Sequence, residues 1–226
     1  MTVSARRAVA AQARVELLLT LRRGESLVVS LAIPVGILVF FTKVDVVQTS
    51  LRDPVQFLVP GTLALAVMST AMVSLGIATG YERRYGVLKR LGSTPLSRTG
   101  LLAVGAALGW HAAGGVAAAV GLLLIGTVAF AGVGLFFAGT LRAEANLAVA
   151  NGVFLALLFL GGMAYPLDKL PGGLQALARA LPAAALSDTV RQALSASPVS
   201  VGALVTLVAW AIGAPLLAAR TFRWEE

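Results

Sequence analysis

The chain has 226 residues, 58% of them hydrophobic and 12% charged, with a mean hydropathy of +0.88. A soluble domain carries about a quarter charged residues, so the composition selects the bilayer as solvent; at about 20 apolar residues per span it leaves room for roughly six spans and no large soluble domain. The formal charge of +8 would point to nucleic acid in a soluble chain, but in a membrane chain basic residues collect in cytoplasmic loops, so no nucleic-acid partner is expected.

Residues 4–24 carry Arg6, Arg7, Arg14, Arg22 and Arg23, while Ala8, Ala11, Val15, Leu18 and Leu19 recur at helical spacing on another face. This predicts an amphipathic helix lying in the interface with its arginines among the headgroups, and no cleavable signal sequence. A first span is expected at 26–44, interrupted by Pro34 and Gly36 and reaching full length only with Lys43 snorkelling. After a short polar loop, 57–80 is the clearest span, with Pro60-Gly61 near one end and Gly76 and Gly80 near the other. Small residues at that spacing permit close helix approach.

Residues 81–98 hold Arg83, Arg84, Lys89, Arg90 and Arg98 against Glu82 alone, which predicts a cytoplasmic loop. Within it Tyr81, Tyr85 and Leu88 fall at i, i+4 and i+7 beside Val87 and Leu91, an apolar ridge suited to a groove on a soluble partner; Gly92 and Pro95 end it. Residues 101–139 then run without a formal charge and contain the single histidine, His111. One straight helix of that length would measure about 58 Å, about twice the hydrocarbon thickness. The run must fold back, with spans expected at 101–120 and 121–139; a turn at 110–115 would leave the first arm only half a span. A further span at 147–165 contains Asn151, an amphiphilic segment at 166–198 is punctuated by Pro166, Pro171, Pro182 and Pro198, and 199–219 is the last span. The expected architecture is one all-α, polytopic transmembrane domain of about six helices, preceded by the interfacial helix. Counting basic residues on each side does not separate six spans from five; length favours six.

No catalytic constellation is visible. His111 has no second histidine, no paired acids lie within a span, the absence of cysteine removes thiolate chemistry, and Lys43, Lys89 and Lys169 lie in no Gly-rich phosphate loop. The chain is therefore expected to be neither an enzyme nor the holder of a metal or cofactor. The spans 57–80, 147–165 and 199–219 contain no Asp, Glu, Lys or Arg, whereas ion-coupled carriers place ionisable groups inside the membrane. Energy for any transport is expected to come from outside the chain.

Two separated motifs carry a family resemblance. Residues 82–91 (ERRYGVLKRL) with 93–98 (STPLSR), and residues 139–144 (GTLRAE) leading through Asn146, Asn151 and Gly161-Gly162 to Tyr165-Pro166-Leu167, Leu170-Pro171, Leu181-Pro182 and Asp188-Thr189-Val190-Arg191, resemble type-2 ABC transporter permeases, the membrane subunits of bacterial exporters such as the daunorubicin/doxorubicin resistance permeases. The resemblance implies a six-span permease of the bacterial plasma membrane with both termini cytoplasmic, working as a homodimer or with a related permease. Two copies of a separate ATPase would bind ATP and Mg. It implies that Glu82, Tyr85, Gly86, Leu88, Leu91, Thr94 and Pro95 couple to that ATPase, and that 166–198 is a partly re-entrant external gate marked by Pro166, Leu170, Pro171 and Pro182.

Candidates for the cargo path are Met68, Ser69, Met72, Asn151 and Phe154, for each of which ordinary interhelical packing is the competing reading. Their apolar character suits drug-like, antibiotic or lipid-like cargo. The chain departs from the family pattern in its third span, where only residues 101–108 stand between the coupling loop and the Gly109-Trp110-His111 point. That shortening motivates an alternative reading, a membrane scaffold or immunity factor that retains the permease fold without transporting.

Overall fold

Four stretches among the described residues are long and apolar enough to cross a bilayer: Val55–Tyr81, Val116–Thr140, Ala143–Leu160 and Val201–Thr221. The computed structural model describes residues 35, 36, 39, 40, 54–84, 114–163 and 165–223, and every regular element among them is helical. The first rod is α1 (Pro54–Met68), a π-helical turn (Ser69–Ser74) and α2 (Leu75–Arg84) in continuous succession. A π-turn widens the backbone ladder. Hydroxyls at its start donate to a carbonyl of the turn before: Thr70 Oγ1 donates to Ala66 O at 2.7 Å and Ser69 Oγ to the same oxygen at 3.2 Å.

The second rod is α3 (Val116–Thr140), and α4 (Ala143–Leu160) returns from it. A single 3-10 turn (Leu167–Lys169), α5 (Gly172–Ala180) and α6 (Pro182–Leu194) precede the last rod, α7 (Val201–Thr221). Close contacts fix the directions. Gly134 lies against Met72, and Gly132 against Ala214 and Pro215, so α1/α2 and α7 run parallel to α3. Asn146 reaches Gly76 and Met163 lies against Gly61, so α4 runs antiparallel to the first rod.

Helix α6 does not cross. Its first residue, Pro182, shares a cavity with Val133, Val153 and Gly213, partway along α3, α4 and α7. Leu186 faces Gly126 of α3. The C-terminal carbonyls of Ala193 and Leu194 accept the N–H groups of Gly115 and Gly114 at 3.0 and 2.9 Å, at the start of α3. The chain thus enters the bundle between α4 and α6 and leaves by the side it entered. Leu186 and Val190 join Phe130, Leu58, Leu65, Met68, Met72 and Leu207 in the fully buried core, so the amphiphilic pattern of 166–198 belongs to a helix packed inside the bundle. By contrast α4 and α7 turn apolar residues outward, among them Leu155, Phe159, Val201, Val205 and Ile212, as helices facing lipid do.

Several bounds differ from the expected ones. The 57–80 span is continuous with residues 81–84, so the basic cluster begins inside a helix. Helix α3 starts at Val116 and takes the last five residues of the expected 101–120 span; Gly114 and Gly115 are held by α6 instead of continuing a helix. Helix α4 starts at Ala143, with Glu144 in the first turn where the macrodipole favours an acid. It stops at Leu160, because Gly162 adopts φ +63° and turns the chain; the expected end at 165 is therefore too late. Of the expected 26–44 span only Val35, Gly36, Val39 and Phe40 are described, all helical. The interfacial helix at 4–24 and residues 85–113 lie outside the described residues.

A Cβ placed on Gly134 would sit 2.6 Å from Met72 O, whereas one on Gly121 meets nothing within 4 Å. Gly134→Val is expected to destabilise the bundle by about 2 kcal/mol or more, at the upper end of overpacking costs, and Gly121→Val to leave it nearly unchanged. The shift in unfolding midpoint of the two variants in the same detergent checks this.

Candidate functional site

Two ends of the bundle and the space between them carry the polar side chains. Arg83, Arg84, Arg142, Arg220 and Arg223 gather at one end, where α2, α3 and α7 finish and α4 begins. Arg83 is buried (6% exposed). Its Nη1 donates to Gly139 O at 3.0 Å and, more weakly, to Arg223 O at 3.4 Å, and its Nη2 donates to Leu141 O. Arg84 pairs with Glu144 of α4. The sequence offers both arginines only as part of a basic cluster; their helix-end role depends on which carbonyls the fold brings near, and the signal for it is a basic pair just beyond an uncharged span. Of the expected coupling residues, Glu82 has its backbone in the last turn of α2. Tyr85, Gly86, Leu88, Leu91, Thr94 and Pro95 lie outside the described residues, as does His111.

The expected path residues are not brought to one surface. Met68 and Met72 are fully buried within this chain's own packing. Ser69 is half-buried and bonded to Ala66, and Phe154 packs at the edge of the core. Asn151 is exposed on α4 and donates to Leu147 O at 2.8 Å. A neighbouring asparagine that sequence reasoning left without a role is the buried one: Asn146 donates from Nδ2 to Gly76 O at 2.7 Å, tying α4 to α2.

At the opposite end, the segment between α4 and α6 is held by side chains. Pro166 is buried, Leu170 half-buried, and Pro171 exposed at the N-cap of α5. Pro182 opens α6 at its first turn, where a missing N–H costs nothing. Ser187 Oγ donates to Gly161 O at 2.5 Å, and Arg191 Nη2 to Gly162 O at 2.7 Å. Arg191 also donates to Asp188 Oδ1 at 2.9 Å and lies 4.0 Å from the centre of the Phe57 ring. One guanidinium thereby joins α6 to the α4–α5 turn and to α1. Burial pushes the Asp188 carboxyl above its ordinary range, the Arg191 charge and hydrogen bond pulling it partly back; burial likewise works against the Arg191 charge.

Between the two ends lies a cavity of about 480 Å³ among α3, α4, α6 and α7, lined by Val133, Phe136, Phe137, Val153, Pro182 and Trp210 among others, with no ionisable side chain. The indole N–H of Trp210 is already donated to Ala180 O at 2.9 Å. The lining can receive an apolar guest and offers it no acid, base or metal ligand.

Arg191→Gln would leave Asp188 without its charge partner. The expected loss of stability at neutral pH is about 2 kcal/mol, below the roughly 3–5 of a fully buried pair because the Asp188 side chain is 32% exposed. A carboxyl whose folded value is raised stabilises fully below its unfolded value and loses that contribution as pH rises through the folded one. The variant raises it further, so its deficit should shrink in mild acid, where Asp188 is protonated, and grow toward neutrality. Unfolding midpoints of both proteins from acid to neutral pH check this, and a deficit independent of pH would contradict it.

No curated protein matches the chain. Residues 99–195, which include α3, α4, α5 and α6, match the family model described as ABC-2 type transporter. The matched stretch begins one residue beyond Arg98 and ends one beyond Leu194, so it holds the cavity walls of α3, α4 and α6 and both helices of the re-entrant segment, α5 and α6. Over those residues the chain is similar to ABC-2 type transporters, a likeness that supports a membrane-embedded permease component.

Proposed function

We propose that the chain is the membrane subunit of an ATP-driven exporter, energised by a separate ABC ATPase that docks at its basic end. The observation that carries this reading is the family match over α3 to α6 in a sequence with no phosphate-binding loop of its own. ATP and Mg would be bound by the ATPase, two copies of which would serve a pair of permeases, either two copies of this chain or this chain and a related one.

The charge distribution supports the orientation. Five arginines stand at the basic end against Glu82 and Glu144, while the opposite end mixes Lys169, Arg179 and Arg191 with Asp168 and Asp188. The positive-inside rule then makes the basic end cytoplasmic. Arg84 and Gly114 lie at opposite ends of α3, separated by about 37 Å at 1.5 Å per residue. The chain therefore changes sides between them, in keeping with six crossings and both termini in the cytoplasm of a bacterial cell. Closure of the ATPases on ATP would move the segment after α2, and the bundle would alternate between inward and outward access. The re-entrant α6, held by Arg191 and Ser187, would form the external gate. The apolar cavity suits an amphiphilic cargo of the drug, antibiotic or lipid-like class.

Two measurements test this reading. A membrane-impermeant maleimide should label Lys169→Cys in intact cells and Arg142→Cys only after permeabilisation; the reverse pattern would overturn the orientation. An ABC ATPase should co-purify with the wild-type chain and be lost from Leu88→Asp. In vesicles holding that complex, a fluorescent amphiphilic dye should move only with ATP. Association with no ATP-driven movement would favour the non-transporting scaffold.

A further inference from the structure

We infer that Arg83 is a positioning residue of the transport cycle, the link through which movement at the end of α2 reaches the paired C-terminal ends of α3 and α7. The inference rests on the coupling reading above and adds the route by which the bundle receives the push.

The geometry is specific to an arginine at this position. Residue 83 lies in the last turn of α2, immediately before the segment proposed to meet the ATPase. Its guanidinium donates to carbonyls on two other rods, Gly139 and Leu141 at the end of α3 and Arg223 beyond α7. Gly139 O is a helix-terminal oxygen at the negative end of the α3 dipole, and the carbonyls of Leu141 and Arg223 stand just past the ends of α3 and α7, so a buried cation is satisfied there by charge-assisted bonds. A planar fork can serve oxygens from two chain segments at once; a lysine ammonium presents a single point.

The ends of α3 and α7 are themselves fastened backbone to backbone. Arg223 N donates to Gly139 O at 3.0 Å, and a Cβ on Gly139 would lie 2.4 Å from Phe222 Cδ2 and 3.0 Å from its Cα. The two ends therefore move as one body, and Arg83 joins α2 to that body. The same two rods supply adjoining walls of the apolar cavity, through Val133 and Phe136 on α3 and Trp210 and Leu217 on α7. A displacement of α2's end is thus delivered to the walls of the space that would hold cargo. The adjacent Arg84 makes a different kind of contact. It and Glu144 have side chains 41% and 63% exposed, and an ion pair that open to water contributes little.

The test uses the full chain in nanodiscs, without and with the co-purifying ATPase, and exploits the absence of cysteine. Spin labels at Ala78→Cys on α2 and Arg220→Cys on α7 read the link itself. Wild type and Arg84→Gln should give one narrow distance distribution, and Arg83→Lys and Arg83→Gln a broader and longer one. Labels at Val128→Cys on α3 and Leu155→Cys on α4 read the response to ATP. Arg83→Lys should keep the ATPase bound and hydrolysing ATP while losing the ATP-driven distance shift that wild type and Arg84→Gln show. That split between hydrolysis and movement is one that a purely structural cap would not produce. An unchanged α2–α7 distribution in Arg83→Lys, or a retained ATP-driven shift, overturns the inference. If wild type binds no ATPase, the coupling reading fails by itself, and the α2–α7 distances still decide whether Arg83 holds the rods together. Should Arg83→Gln fail to fold, Arg83→Lys, which keeps the charge and the stem, carries the measurement.

Discussion

A helix that ends within or at the edge of a bilayer leaves carbonyl oxygens that lipid cannot satisfy, and this chain meets that requirement after α3, α4, α5 and α6 by donors from elsewhere. The end of α3 is served by Arg83 and by the Arg223 amide, the turn after α4 by Ser187 and Arg191, the end of α5 by Trp210, and the end of α6 by the amides of Gly114 and Gly115. None of these donors belongs to the helix it caps. The caps are therefore also the joints of the fold, and they explain how α6 can begin partway along the bundle. A re-entrant helix is stable only where protein surrounds its ends, and Gly161, Gly162, Ser187 and Arg191 provide that surrounding.

The second requirement is close approach. Helices in lipid gain no hydrophobic advantage by associating, so contact surface must come from shape. Helix α3 meets it with glycines facing successive neighbours: Gly126 against Leu186 of α6, Gly132 against Ala214 and Pro215 of α7, Gly134 against Met72 of the first rod, and Gly139 against Phe222. One helix thereby meets the first rod and α7 almost at backbone distance and seats the Leu186 side chain of α6 on its own backbone, and the larger residues between those glycines, Phe130 above all, fill the core. Glycine's cost in helix propensity is tolerable here because the polar backbone has no competing partner in hydrocarbon.

How much of this was legible in the sequence follows from the same two requirements. Hydropathy located the first rod and α7 to within a few residues, because uncharged runs bounded by charges are decided by solvent alone, and the proline spacing marked the α5 and α6 starts because proline is at home at a helix's first positions, as Pro171 and Pro182 are. Hydropathy could not locate the start of α3 within 101–139, since every residue there is equally content in lipid; the boundary is set by Gly114 and Gly115 bonding to α6, some eighty residues on. The π-turn at Ser69–Ser74 leaves no mark beyond a cluster of hydroxyls. In the same way Met68 and Met72 read as candidates for a path because they are flexible and apolar, while the packing of Met72 against Gly134 depends on a neighbour no local pattern names. The arginines were legible as a basic cluster but not as individuals: Arg83 is buried and Arg84 is exposed, although they are adjacent.

That difference between adjacent arginines bears on how force could travel through such a bundle. Polar links between rods fall at three depths: Asn146 to Gly76 between α4 and α2, Arg83 to α3 and α7 at the basic end, and Arg191 to the α4–α5 turn and Phe57 at the other. The links at the two ends are charged and use backbone carbonyls as acceptors, so they hold position without fixing a particular side-chain partner. Between them the walls of the cavity are apolar and, apart from the Trp210 indole N–H given to Ala180 O, are held by packing. Directional bonds at the ends and non-directional packing between them allow the rods to pivot about fixed joints while the cavity changes shape. A rearrangement driven from the basic end would therefore cost packing, which lipid or cargo can replace, before it cost a hydrogen bond, which in hydrocarbon nothing replaces.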